Sequence, residues 1–407
     1  MMRLAAIAVR QDARYSRLFA TVERGRGREP FELMYEYPRD SARYLLESAD
    51  AFVPALLIPC MAGSEPLEIV PAISAKLHAA LDTIQTILTQ WWSELHRVPV
   101  SATPRGADDS VTSIPGTSAS FFSGGVDSFY TCLKHAGETG SPQAPRLTHL
   151  VHMEGVEKPL EQSVDVTSLR DDLRRAADHY GLDLVFGRTN IRSVFPLSWS
   201  MYYHGAGLSS IGLSLAAGFR RILIPSTHSF RHLLPWGSHP LLDPLWSTER
   251  LEIVHDGCEV TRVEKTASIA SDPFALQQLR VCLRNRAGPG NCGRCKKCIR
   301  TMVTLAALGA LSQASTFPSR LPPNFDGLLP VATDNDRAFV EEIVSFLEDR
   351  EPGSPLALAL SGRIRQSRRH AATRSYVENS KLSAALPAVR QLRGAAVRFA
   401  SIISHIG

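Results

Sequence analysis

The stretch Ser123-Gly124-Gly125-Val126-Asp127-Ser128 lies between an apolar approach, Ser118 to Phe122, and an amphipathic run, Phe129 to His135. It reads as strand, tight loop and helix. Adjacent glycines let a backbone turn with its N–H groups pointing inward, and the first turn of the following helix offers unpaired amides and a positive dipole end to an anion. Ser123 and Ser128 add hydroxyl donors. Asp127 sets the loop apart from a plain anion nest, because a carboxylate beside polyphosphate is repulsive unless it orients the loop or helps to hold a cation such as Mg2+. The chain has no Gly-Lys-Ser/Thr sequence, so this is not a Walker A motif.

A second constellation is Cys282, Cys292, Cys295 and Cys298, spaced C-x9-C-x2-C-x2-C, which takes four of the seven cysteines. Thiolates two residues apart can grip one tetrahedral ion from a tight knuckle, for which Pro289, Gly290 and Gly293 supply the turns. Arg294, Lys296, Lys297 and Arg300 offset the excess negative charge of four thiolates around one dication. Zn2+ is the expected ion. An iron–sulfur cluster is the alternative, since C-x2-C-x2-C with a distant cysteine also suits cubane ligation. Cys60, Cys132 and Cys258 read as ordinary small buried residues.

The middle of the chain alternates strand and helix patterns, which predicts an α/β fold with a doubly wound, mainly parallel sheet. Strands are expected at 147–153, 182–186 and 221–225, and helices at 164–180 and 205–217. In such sheets ligands gather beyond the carboxyl ends of the strands, which places His152, Glu154, Arg188, Asn190, Ser226, Thr227 and His228 near the Ser123 loop. Residues 226–265 carry His228, His232, His239, Asp243, His255 and Asp256 together with Trp236 and Trp246. This mixture suits stacking of a flat heterocycle and hydrogen bonding to its edge, with His228, Trp236, His239 and Asp243 as the substrate-binding candidates; a long ordered loop with satisfied histidines is the plainer alternative.

The SGGVDS loop resembles the signature of the PP-loop ATP pyrophosphatases, whose fold is also described as adenine nucleotide α-hydrolase-like. Combined with the downstream four-cysteine knuckle, residues 118–310 resemble the 7-cyano-7-deazaguanine synthases of queuosine biosynthesis and their relatives. The spacing of the first cysteine pair is longer here, and a segment running from His228 through Trp236 to Pro244 stands where a Tyr-Pro-Asp-Cys-Arg run is expected. The resemblance implies an ATP-dependent carbon–nitrogen ligase that adenylates a carboxylate, that of 7-carboxy-7-deazaguanine or a similar heterocyclic acid, and passes it to ammonia or an amine. A protein amine in a bacterial antiviral defence system is one option for the acceptor. It also implies ATP-binding roles for Ser123, Gly124, Gly125, Val126, Asp127, Ser128, His152, Glu154 and Asn190, and catalytic roles for Asp127, Ser128 and Lys265, with Lys265 steadying charge at the α-phosphate. A structural role for the zinc knuckle is implied as well. The alternatives are a PP-loop tRNA-modifying enzyme of the thiolation type and a non-catalytic, zinc-stabilised nucleotide-binding partner.

The 407 residues allow two or three domains. The expected organisation is an N-terminal α+β unit over 1–100, a Ser/Thr/Pro/Gly-rich linker over 101–117, the ATP-binding domain over 118–315 and a helical, Arg-rich region over 316–407. In the first of these, 16–23 and 31–37 read as a β-hairpin, residues 1–9 as a strand, and 41–52 and 73–92 as helices. Formal net charge is +5, but from Gly362 onward nine Lys or Arg face Glu378 alone. A basic run of this kind is more commonly a solvated helical face than an RNA-binding surface. No signal peptide or spanning segment is apparent, so a cytoplasmic, reducing location without membrane partners is expected, as is a homo-oligomer.

Overall fold

The computed structural model describes residues 1–25, 27–106, 117–136, 146–162, 167–282, 290–329 and 331–379. The chain begins with an antiparallel meander, β1 (Met2–Gln11), β2 (Tyr15–Arg24) and β3 (Phe31–Pro38), in which Leu4 faces Val22 and Leu18 faces Tyr35. Alternation decides which side is buried: Leu18, Ala20 and Val22 of β2 and Leu33, Tyr35 and Tyr37 of β3 all point into one core. Two short 3-10 turns, Arg39–Tyr44 and Ala49–Phe52, follow, where a helix over 41–52 is expected from the sequence. The helix proper starts one residue later, as α1 (Val53–Gly63), with Pro54 in its first turn, where a missing N–H costs nothing. Because α1 is apolar on all sides it is buried on all sides. β4 (Leu67–Ile73), α2 (Ala75–Trp91) and β5 (Val100–Pro104) complete this part, with β4 parallel to both β1 and β5.

The central strand of the second half is β6 (Ser118–Phe121), followed by α3 (Val126–Ala136), β7 (Leu147–Glu154), α4 (Thr167–His179), β8 (Asp183–Thr189), the one-turn α5 (Ile191–Val194), α6 (His204–Ser214) and β9 (Arg221–Pro225). Next come β10 (Glu252–Asp256), α7 (Arg262–Ala270), α8 (Pro273–Gln278) and α9 (Lys296–Ala307). The strands of the described residues form one ten-stranded mixed sheet in the order β10-β9-β6-β7-β8-β3-β2-β1-β4-β5. β10 to β8 are parallel to one another. From β6 the chain passes first to β7 on one side and later to β9 on the other, so the loop after β6 lies at the switch point of the sheet. One face carries α1, α2 and α6; the other carries α3, α4, α7, α8 and α9.

The two halves meet where β3 pairs antiparallel with β8, Glu36 opposite Arg188. Glu36 is 1% exposed and accepts from both Arg17 and Arg188. A side chain at Gly187 would strike the ring of Tyr37 at 2.7 Å, so only glycine lets β3 lie this close. Past the end of the ladder the Asn190 amide takes over, accepting from Met34 N (2.9 Å) and donating to Glu32 O (2.7 Å). Tyr37 Oη bonds to Ser214 Oγ of α6 (2.8 Å), and Tyr203 Oη donates to Ala55 O of α1 (2.6 Å).

Residues 1–322 therefore form one compact unit, and the separate N-terminal unit expected from the sequence is a set of strands in the shared sheet. Of the expected linker, 101–104 belong to β5, and 107–116 lie outside the described residues. The stretch 226–265, readable as one long loop, contains β10 and the start of α7. The second unit, 323–407, holds α10 (Phe325–Leu328), α11 (Asp334–Arg350) and α12 (Pro355–Asn379). α11 is capped by Thr333 and buries Phe339, Val340 and Ile343, while α12 buries Leu360 and Ile364. Lys381, Arg390, Arg393 and Arg398 of the basic run fall outside the described residues.

Candidate functional site: a glycine loop beside a four-cysteine cluster

After β6, Phe122 N extends the ladder to Val151 O (2.8 Å), and the chain turns through Gly124 at φ +73°. That conformation favours glycine. Ser128 closes the turn from inside: its hydroxyl donates to Gly125 O (3.1 Å) and accepts from Ser123 N (3.3 Å). Gly124 O accepts from Arg280 N (2.8 Å), which ties the loop to the segment leading to Cys282. Val126, Phe129 and Cys132 of α3 pack into the core, so the amino end of this helix stays fixed at the loop.

The loop opens into a cleft of about 600 Å³, open solvent at its mouth included. Asp127 and Glu157 bring carboxylates, Arg262, Arg280 and Lys297 bring cations, and His152 closes one side. Arg262 Nη1 lies 2.7 and 2.6 Å from the two oxygens of Asp127, and Lys265 Nζ lies 3.9 Å from the nearer one. Burial works to raise the Asp127 carboxyl, but the charges of Arg262 and Lys265 outweigh it and hold the group below the ordinary carboxylate range. Both cations stand on one face of α7 because they are three residues apart. Thr261 and Glu264 form a capping box that fixes where this helix begins. Lys265 is 1% exposed and donates to Ser226 O (2.8 Å) and Oγ (2.7 Å) at the end of β9. On the opposite wall Arg280 Nη1 bonds to Asp172 of α4 (2.9 Å).

The four cysteine sulfurs come within 4.8 Å of one another. Cys292 and Cys298 are 3.8 Å apart, Cys282 and Cys295 4.0 Å, and Cys295 and Cys298 3.4 Å. A tetrahedral ion with metal–sulfur bonds of about 2.3 Å requires sulfur–sulfur edges of about 3.8 Å, so the donor set fits a single metal ion and is compatible with zinc. Gly293, at φ +65°, makes the knuckle, and Cys295 N donates to Cys292 Sγ (3.4 Å). Asn291 holds the distant ligand in place: its Oδ1 accepts from Val281 N (2.8 Å) and Cys282 N (3.0 Å), while Nδ2 donates to Leu279 O (2.9 Å). Cys295 stands at the position just before α9, which carries both Cys298 and the cleft residue Lys297. Cys282 itself lines the cleft, so the cluster fixes the cleft wall directly.

Several residues singled out in the sequence lie elsewhere. Ser123, Gly125, Val126, Asp127 and His152 line the cleft, and Ser128 and Lys265 stand behind the loop. The carboxamide of Asn190 is committed to β3, away from the cleft lining. Glu154, paired in register with Arg188, is outside the lining too; burial raises its carboxyl against the pull of Arg188 and Arg170. Asp243 is fully buried and accepts from Ser238 Oγ (2.7 Å), His255 Nδ1 (2.7 Å) and His239 N (3.3 Å). The His239 ring meets Trp91 at 4.7 Å, and burial lowers its pKa to about 4. His228 meets Trp236 edge to face at 5.9 Å and is likewise pushed down to about 4 by burial. His239 and Asp243 thus belong to an internal polar network over the amino end of α6, where a Cβ on Gly205 would strike Asp243. Reading the sequence missed Arg262, Arg280, Glu157 and Lys297 as cleft residues. Only Arg262 left a signal, three residues before Lys265 behind a Thr-x-x-Glu cap.

Fold and site define a class: an α/β protein with a glycine turn at the switch point of a parallel sheet, a cation-lined cleft beyond it, and a four-cysteine cluster in the cleft wall. No family model, no curated protein and no solved structure matches the chain. Among the described residues no helix is long and apolar enough to cross a membrane.

Proposed function

We propose that this chain is an ATP-dependent carbon–nitrogen ligase of the PP-loop type, which adenylates a heterocyclic carboxylic acid of the 7-carboxy-7-deazaguanine kind, releases pyrophosphate and transfers the acyl group to ammonia or an amine. The observation that carries this reading is the Ser123–Ser128 loop at the switch point, facing Arg262, Arg280 and Lys297 across one cleft. The loop amides, the Ser123 hydroxyl and the amino end of α3 receive the β- and γ-phosphates. The substrate carboxylate attacks the α-phosphorus and pyrophosphate departs toward the loop. The amine then displaces AMP from the acyl-adenylate. No protein nucleophile is needed, since the enzyme positions the reactants and stabilises developing charge with Lys265 and the cleft cations. When bound, Mg2+, for which Asp127 is the loop carboxylate, neutralises phosphate charge. For the cluster zinc is the ion proposed, because a cubane would set four irons and their sulfides between the thiolates and spread them beyond the separations found here. The remaining cysteines, Cys60, Cys132 and Cys258, are buried, which favours acyl transfer over sulfur transfer. A cytoplasmic enzyme with a protein or small-amine acceptor fits this chemistry.

The test is release of AMP and pyrophosphate from the metal-replete protein with and without 7-carboxy-7-deazaguanine, with mass analysis of products formed from ammonia and from a protein amine. Release stimulated by the acid, and abolished by Asp127→Ala and Ser128→Ala with metal content unchanged, is the expected result. Undiminished turnover in those variants rejects the site. ATP binding without release under any acid moves the protein to a non-catalytic role.

A further inference from the structure

We propose that Arg262 is an exchangeable counter-ion: it covers Asp127 while the cleft is free of nucleotide and passes to a phosphate group when a divalent cation takes over the carboxylate. The inference rests on the proposed function and adds a residue and a step to it. Its starting point is a conflict of demands on one side chain. A loop carboxylate can assist a metal–polyphosphate ligand only through its oxygens, yet a single nitrogen, Arg262 Nη1, straddles both at 2.7 and 2.6 Å. A dication at these oxygens would stand close to the Arg262 guanidinium, and the repulsion between like charges favours displacement of the arginine.

The two cations differ in their surroundings. Lys265 is enclosed, with Nζ held by Ser226 O and Oγ and covered by Gly257, where a Cβ would come within 3.3 Å of it. Gly257 sits at φ +97°, so the backbone itself is shaped around this lysine. Arg262 instead lines the cleft, its side chain is 12% exposed, and only its backbone is fixed, in the first turn of a capped helix. A guanidinium suits this exchange, since carboxylate and phosphate oxygens present the same acceptor geometry to its planar donors. Lys265 stays 3.9 Å from Asp127 throughout and keeps the carboxylate compensated during the transfer. The two cations at consecutive positions on one helix face divide the work, one fixed and one mobile.

The experiment uses the full chain and two probes, Mn2+ followed by electron paramagnetic resonance and pyrophosphate followed by calorimetry, on wild type, Arg262→Gln, Arg262→Lys and the double variant Arg262→Gln with Asp127→Asn. With the counter-ion gone, Arg262→Gln binds Mn2+ about tenfold more tightly than wild type in the absence of any nucleotide, and the double variant loses that gain. Pyrophosphate affinity falls about tenfold in Arg262→Gln and is partly restored in Arg262→Lys, which keeps the charge but not the fork. An arginine that only shielded Asp127 would raise Mn2+ affinity on its removal but leave pyrophosphate affinity unchanged, so the exchange requires both shifts together. Equal Mn2+ affinity in Arg262→Gln and wild type, or a gain that survives Asp127→Asn, overturns the proposal. Failure of wild type to bind pyrophosphate or ATP overturns the ligase reading instead, and the Mn2+ comparison then still decides the role of Arg262.

Discussion

Replacing Asn291 by alanine tests how the cysteine cluster and the cleft wall are joined. The residue is 8% exposed, and its carboxamide reaches two stretches of chain, 279–282 and Thr316. Truncation orphans Val281 N and Cys282 N, whose acceptor is Asn291 Oδ1. Leu279 O is spared because Thr316 Oγ1 also donates to it (2.7 Å), and Thr316 O keeps the Asn291 backbone N–H (2.7 Å). The loss is therefore two buried N–H groups at about 1–3 kcal/mol each, or roughly 2–6 kcal/mol in total. Cys282 is one of these two donors, so metal affinity should fall as well, by about 10–100-fold as for other groups that orient metal ligands. Denaturant unfolding of the metal-replete protein gives the first quantity, and competition for zinc against a chromophoric chelator gives the second. Asn291→Asp, which keeps the acceptor oxygens, should lie between alanine and wild type. If Asn291→Ala unfolds within about 0.5 kcal/mol of wild type, the level of an ordinary surface change, and binds zinc equally well, then the amide does not hold the ligand and the reasoning fails.

Lys265→Met removes a fixed charge while preserving most of the buried volume; it should leave metal content and secondary structure intact and reduce pyrophosphate release at least about hundredfold, measured as kcat at saturating ATP. Burial works against a charged His255, but the hydrogen bond and charge of Asp243, with Cys258, outweigh it and raise its pKa to about 9. A raised folded-state value means that this stabilisation is complete below the unfolded pKa near 6.5 and is lost as pH climbs through about 9. Unfolding free energy should accordingly decline across that window by an amount on the order of 3 kcal/mol, and a flat profile that Asp243→Asn leaves unchanged would contradict the pairing. Glu36→Ala removes the shared acceptor of Arg17, which keeps Asp12 (3.1 Å), and of Arg188 at the β3–β8 seam. Since both arginines are about a third or more exposed and can be hydrated, the expected cost is about 1–3 kcal/mol, below that of breaking a fully buried pair. Hydrogen exchange should then accelerate at the paired amides of 35–36 and 188–189 before it does elsewhere in the sheet.

The sequence determined the local pieces whose causes are local. Two adjacent glycines before an amphipathic run specify a turn into a helix, and Gly124 takes the positive φ that such a turn needs. Cysteines two residues apart with Gly293 between them specify a knuckle, and their sulfurs converge. The β2–β3 hairpin and the alternating strands from β6 to β9 were legible for the same reason, since period and turn chemistry are properties of short windows.

What only the tertiary structure decided depends on partners far apart in the chain. The strands before residue 105 look self-contained in sequence, yet Glu36, Gly187 and Asn190 weld them to β8, because an open edge of the parallel sheet satisfies its backbone groups by pairing. Asp243 and His239 carry the right chemistry for a ligand but face inward, where Ser238, His255 and the amino end of α6 already use them. Arg262, Arg280 and Lys297 become a site only when α7, the Cys282 segment and α9 converge on one loop. Residue type and spacing fix what a side chain can do. Which groups it meets is a matter of long-range packing, and that is where the charge on Asp127 found its two cations.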